Sequence, residues 1–109
     1  MPEAVHLVLT TFGDREAAER VVRPLIEHRL AACASILSGV RSIYQWKGAV
    51  EDTQETLVLF KTSQTALPAL MERLKELHPY EVPEILAVEA ARADPNYATW
   101  VAQECPQPQ

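Results

Sequence analysis

Three short stretches of this chain are apolar at consecutive positions rather than at alternate ones: Leu7–Leu9, Leu57–Phe60 and Ile85–Val88. Runs of this length and composition read as strands. Side chains on a strand point alternately to the two faces of its sheet. A run with no polar alternation therefore needs cover on both faces. Whatever fold the chain adopts must supply two apolar partners for one sheet.

The remaining punctuation sets the order of elements. Val5–Thr11 reads as a first strand, ended by Gly13. Asp14 is a good helix N-cap, and Glu16 and Glu19 follow where the helix dipole favours acids. Ala17, Ala18, Val21, Val22, Leu25 and Ile26 recur at helical spacing. Pro24 lies inside that pattern and predicts a kink within one helix, since the apolar period continues past it. Ala32–Trp46 reads as a long strand with a bulge or bend at Gly39. Lys47-Gly48 suits a tight hairpin turn, and Val50–Thr62 returns as the partner strand. Thr65 is the expected cap of a second helix, with Pro68 in its first turn and Leu67, Leu70, Met71, Leu74 and Leu77 on one face. Pro79 stops it, Pro83–Ala91 reads as a fourth strand, and Asp94-Pro95 opens a short last helix with Tyr97, Trp100 and Val101 at helical spacing. The tail after Glu104 is expected to fray.

The order β-α-β-β-α-β, followed by a terminal helix, predicts an α+β, ferredoxin-like sandwich spanning 1–109 as a single domain. Right-handed crossovers put both main helices on the same face of the sheet. The opposite face then lacks cover, and the simplest cover is another copy of the chain. The hairpin around Lys47-Gly48 is long for so small a domain, so its tip is expected to extend over or pair with a neighbour. A homo-oligomer follows from these two features alone.

Composition narrows the function. The formal net charge of −5 argues against a nucleic-acid partner, which needs a basic face for phosphates. No apolar run is long enough to span a bilayer, so no membrane partner is expected. Glu3 and the lack of a basic segment before the first apolar run argue against a signal peptide, and a cytoplasmic location is expected. Cys33 and Cys105 are the only cysteines, too few for a disulfide scaffold. With no closely spaced His/Cys cluster, a metal site would need ligands from distant segments or from different subunits. No nucleophile–base constellation and no phosphate-cradling glycine loop is readable in a chain with three glycines, so no enzyme is expected.

The stretches RLAACASI (Arg29–Ile36), SIYQWKG (Ser42–Gly48), ETLVLFKT (Glu55–Thr62), LHPYEVPEI (Leu77–Ile85) and YATW (Tyr97–Trp100) occur in an order and spacing that resembles the CutA family across nearly the whole chain. The resemblance implies a ferredoxin-like homotrimer with sheets packed face to face and clefts between subunits. It also implies binding of copper or another divalent cation and a part in the response to metal ions. The clefts are similar to those of trimeric PII-type signalling proteins. Some bacterial members carry a cysteine at the end of the first strand and a His-His pair before Pro-Tyr. The matching positions here are Thr10 and Leu77-His78, so only His78 of that set is present.

Each candidate residue has two readings. His78 can offer a neutral imidazole nitrogen to a metal, or interact with the last carbonyls of its helix. Cys33 can offer a thiolate to copper(I) or zinc, or sit as a small buried hydrophobe. Tyr80 and Glu81, held between Pro79 and Pro83, form either a stiff polar site or only a stiff route into the next strand. Lys61 could bind an anion in a cleft, pair with Glu55 or Glu81, or reach solvent along its stem. Tyr44 and Trp46 could line a ligand cleft or anchor a subunit interface. Glu84, Tyr97 and Trp100 read as structural, and Cys105 as incidental. The metal set is thus His78, Cys33 and Glu81, and the cleft set Lys61, Tyr80, Trp46, Tyr44 and Glu55. The alternative to a metal-binding trimer is a PII-like sensor of a small molecule; a third reading is a structural trimer that holds a partner.

Overall fold

The computed structural model describes residues 3–106. Its elements are β1 (Val5–Phe12), α1 (Arg15–Glu27), β2 (Cys33–Trp46), β3 (Ala49–Ser63), α2 (Leu67–Leu77), β4 (Leu86–Glu89) and α3 (Pro95–Glu104). The strands form one four-stranded sheet in the order β2-β3-β1-β4, and every pairing is antiparallel. This is the expected α+β, ferredoxin-like arrangement with an added C-terminal helix.

Local chemistry accounts for most boundaries. The Ala17 N–H donates to Asp14 Oδ1 at 2.8 Å, which caps α1. The helix runs through Pro24 as one element, and the His28 N–H closes its end on the Pro24 carbonyl at 2.9 Å. Lys47 and Gly48 both have positive φ, 50° and 83°, as a two-residue hairpin turn of this kind requires. Gly39 also has positive φ, and the β2–β3 register slips between Leu37 and Val40 around it. A 14-residue strand spans about 46 Å. The hairpin thus accounts for the molecule's longest dimension, 47 Å.

Three expectations need correction. The fourth strand is Leu86–Glu89 rather than Pro83–Ala91. It pairs only with β1, and Pro83 has no N–H to give a ladder. Thr65 does not cap α2: its N–H and hydroxyl donate instead to Glu3 Oε1 at 2.8 and 3.0 Å. The cap position is Ala66, whose N–H donates to Ser63 Oγ. Cys105 is fully buried rather than incidental. Its thiol donates to the Val101 carbonyl at 2.9 Å, and its own carbonyl accepts from Ser63 Oγ. The rest of the expected frayed tail, residues 107–109, lies outside the described residues.

The main core lies between α1, α2 and one face of the sheet. Val8 and Phe12 of β1 and Val58 and Phe60 of β3 meet Leu25 of α1 and Leu70 and Leu74 of α2, all fully buried. Each such side chain contributes about 1.5–3 kcal/mol through burial. A smaller cluster at the sheet's end joins Val5, Ala66, Ala98, Val101 and Cys105 under α3.

The register shows what lies on the other face. Leu9 pairs with Leu59 and Leu86, Leu7 with Val88, and Leu57 with Leu37. These residues alternate with the buried ones and so share the face away from α1 and α2. Leu7, Leu9, Leu57 and Leu59 are half-buried, while Leu37, Val88 and Leu86 are 43%, 50% and 54% exposed. The face that was expected to lack cover does lack it within one chain.

Candidate functional site

The connection from α2 to β4 is built around His78. Pro79 pushes the residue before it toward extended backbone, and His78 has φ −71° and ψ 131°. That ends α2 and turns the imidazole under the end of β1. The ring stacks on Phe12 with centroids 4.4 Å apart and planes 11° from parallel. Its Nδ1 accepts the Tyr80 N–H at 3.2 Å, so Nε2 carries the proton and donates to the Thr11 carbonyl at 2.9 Å. Burial pulls the His78 pKa below the ordinary histidine value, against weaker opposing effects of the Thr11 carbonyl and Glu55. The imidazole is therefore neutral, with its tautomer set and both nitrogens engaged. Metal ligation by His78 would have to break one of these bonds.

Tyr80 extends the chain of contacts. Its ring lies 4.9 Å from His78, tilted by 58°. Its hydroxyl donates to Glu55 Oε2 at 2.7 Å. Burial, then the Glu55 carboxylate, raises the Tyr80 pKa well above the ordinary phenol value, so it remains a hydrogen-bond donor. Glu55 is itself only 8% exposed. The hairpin thus presents a buried carboxylate that the 78–85 segment meets with a phenol.

Beside this pair runs a groove of about 840 Å³, bordered by Thr11, Tyr44, Trp46, Glu55, Tyr80 and Glu81 among others. Glu84, expected to be structural, also borders it, as does Thr53, whose buried Oγ1 makes no hydrogen bond among the described residues. At the rim, Lys47 Nζ lies 3.7 Å from Glu81 Oε2 and 5.4 Å from the centroid of Trp46. Five candidates from sequence therefore border one groove: Tyr80, Glu55, Glu81, Tyr44 and Trp46.

Lys61 and Cys33 lie elsewhere. They are cross-strand partners, and Lys61 also pairs with Leu7, which places both on the open face. Lys61 pairs with neither Glu55 nor Glu81 among the described residues; its ammonium donates to Ser35 Oγ. Cys33 Sγ lies 3.6 Å from the Tyr97 hydroxyl. Burial, then this thiol, pushes the Tyr97 pKa up to about 12. Tyr97 and Trp100, expected to pack, lean on each other at 5.7 Å yet are 39% and 40% exposed. His78, Cys33 and Glu81 do not come together: among the described residues no three His, Cys, Asp or Glu side chains are placed to hold one metal ion. The partners that sequence missed are Thr11, which acts through a backbone carbonyl that no residue type announces, and Lys47, whose place in a turn masked its charge.

Residues 6–104 match the family described as CutA1 divalent ion tolerance protein. The divalent-cation tolerance protein CutA of Thermus thermophilus is 45% identical over 98 residues, covering 90% of this chain and 95% of that protein. Mouse protein CutA is 37% identical over 103 residues, which cover 94% of this chain but 58% of the mouse protein. The crystal structure of CutA from Xylella fastidiosa superposes with a TM-score of 0.90 at 41% identity, covering 94% of this chain and 98% of that one. The match spans β1 through α3, so it covers the groove, the long hairpin and the open face alike. The chain belongs to the CutA1 divalent ion tolerance protein family.

Proposed function

We propose that this chain acts as a homotrimer in the response to divalent metal ions, with copper or another divalent cation held by donors from more than one copy. The observation that carries this reading is the open apolar face of the sheet. Leu37, Leu86 and Val88 stand exposed beside half-buried Leu7, Leu9, Leu57 and Leu59. Further copies of the chain are the natural cover, because a closed ring of identical subunits can turn every copy's open face inward. The metal part of the reading is supported by family membership, and the CutA family is not known to be enzymatic. Donors gathered across an interface fit a chain that places no three of them together among its described residues. Cys33 on the open face and Glu81 at the groove rim are the nearer donors on this reading: Cys33 would exchange its contact with the Tyr97 hydroxyl, and Glu81 its exposed pairing with Lys47, for the metal.

The test joins assembly to metal. Sedimentation of the purified chain is expected to give a trimer, and Leu86→Asp, which sets a charge on the open face, is expected to dissociate it. Copper(I), copper(II) and zinc titrations at two pH values, run beside Cys33→Ala and His78→Ala, then report binding. Stoichiometric binding that disappears in the dissociated variant supports the reading. A monomeric parent chain, or binding that survives dissociation unchanged, contradicts it.

A second reading is favoured by the groove. Its volume of about 840 Å³ and its aromatic and carboxylate border suit a small molecule, as in the PII-like alternative. Loss of Lys61 from this border removes the cation that alternative relied on for an anionic ligand.

A further inference from the structure

We propose that the groove beside Tyr80 binds an organic cation: a small molecule with an ammonium group attached to an apolar or aromatic body. This rests on the small-molecule reading of the groove and specifies the charge of its ligand. The border contributes three carboxylates, Glu55, Glu81 and Glu84, and no lysine or arginine. An anion would enter against that field with only Lys47 at the rim to meet it, and that ammonium already faces Glu81. A cation would be drawn to it.

The aromatic side chains make the choice narrower. Trp46, Tyr44 and Tyr80 all border the groove. Aromatic faces attract ammonium groups and cover the apolar stem behind them. A hard dication instead needs several convergent oxygen donors, and no three acidic, His or Cys side chains converge among the described residues. The chain's own Lys47 shows how an ammonium sits at this rim, 5.4 Å over the Trp46 ring and 3.7 Å from Glu81. It acts as a tethered occupant of the outer end. Deeper in, Glu55 takes the Tyr80 hydroxyl on Oε2, while Oε1 accepts no hydrogen bond among the described residues. Oε1 is not a sealed, unpartnered atom, so it stays open to a charge-assisted hydrogen bond from an ammonium in the groove.

The experiment uses the assembled full-length protein and three nearly isosteric probes: benzylamine, benzyl alcohol and benzoate. Trp100→Phe leaves Trp46 as the sole tryptophan, so its emission reports the groove. Calorimetry gives an independent measure. Benzylamine is expected to saturate and to bind at least about tenfold more tightly than either other probe. Glu55→Gln should weaken benzylamine by about tenfold and leave benzyl alcohol unchanged. Lys47→Asn removes the tethered ammonium, suits the positive φ at that position, and should strengthen benzylamine binding. It lies at the exposed hairpin tip, so it tests the idea even if Glu55→Gln fails to fold. Benzoate or benzyl alcohol binding as well as benzylamine would overturn the charge assignment and leave the groove reading standing. Benzylamine binding unaltered by both substitutions would also overturn it. If no probe produces heat or shifts the emission, the groove reading fails, and this inference with it.

Discussion

On one face of the sheet Val8, Phe12, Val58 and Phe60 lie fully buried beneath α1 and α2. On the other, the intervening residues Leu7, Leu9, Leu57 and Leu59 are half-buried, and Leu86 and Val88 are at least half exposed. The four leucines and the buried set are alike in polarity and sit one residue apart along the same two strands, β1 and β3. What separates them is supply. Two helices can cover one face, while α3 reaches only one end of the other, over Val5 and beside Cys33, and leaves the rest of it open. The difference teaches that apolar patterning states how many surfaces a strand needs, while the count of helices states how many the chain itself provides.

That contrast can be broken by substitution. The largest effect is expected from Phe60→Ala, a loss of about 3–5 kcal/mol in denaturant unfolding, because the ring is fully buried and leaves a cavity. Leu59→Ala, one residue away on the open face, should cost less in dilute protein. Its cost should rise with concentration as copies associate, since binding between folded copies adds to apparent stability. Equal, concentration-independent losses at both positions would erase the distinction between the faces.

A smaller effect should come from the edge of the closed face, where His78 stacks on Phe12. Burial lowers the folded-state pKa of His78, while the unfolded chain takes up a proton near pH 6.5. The stabilisation from keeping the ring neutral is thus complete above that value and fades as pH falls toward the folded pKa. The melting temperature should drop between pH 7 and 5, and more steeply in the parent chain than in His78→Gln. Parallel curves would mean that the buried imidazole does not carry the pH response.

The smallest effect belongs to the hairpin arm, far from the main core. Arg41 donates to both Asp52 oxygens at 2.8 and 2.6 Å. The guanidinium holds the Asp52 carboxyl below the usual carboxylate range. Any contribution is therefore present at neutral pH and is lost as pH falls below about 4. The pair is solvent-exposed, so Arg41→Ala should leave thermal stability unchanged at physiological salt, with a difference emerging only at low ionic strength. A drop as large as that of Phe60→Ala would show that the arm and the core unfold together.

Local chemistry was readable wherever a residue acts on its own neighbours. Asp14 caps the helix that follows it, Gly39 marks the register slip, and Lys47-Gly48 turns the hairpin. Thr65 misled because its hydroxyl is claimed by Glu3, 62 positions away. Pro83–Ala91 misled because apolar content continues where the pairing does not. The groove was partly readable. The stiff segment between Pro79 and Pro83 pointed to Tyr80 and Glu81, and the aromatics before the hairpin turn pointed to Tyr44 and Trp46. Nothing in the sequence joined Tyr80 to Glu55 across 25 positions, or His78 to a carbonyl 67 positions away.

The sequence by itself determined the order of elements, the need for cover on both faces of the sheet, and the stiffness of the 78–85 segment. Each follows from short-range sterics or from the count of apolar residues. The tertiary structure alone decided which candidates became neighbours. Strand register and parity did this: Lys61 and Cys33 fall opposite each other on the open face, and the hairpin delivers Glu55 to Tyr80. A shift of one residue in pairing moves every side chain to the opposite face, so no inspection of residue types could separate a metal set from a cleft set before the register was known.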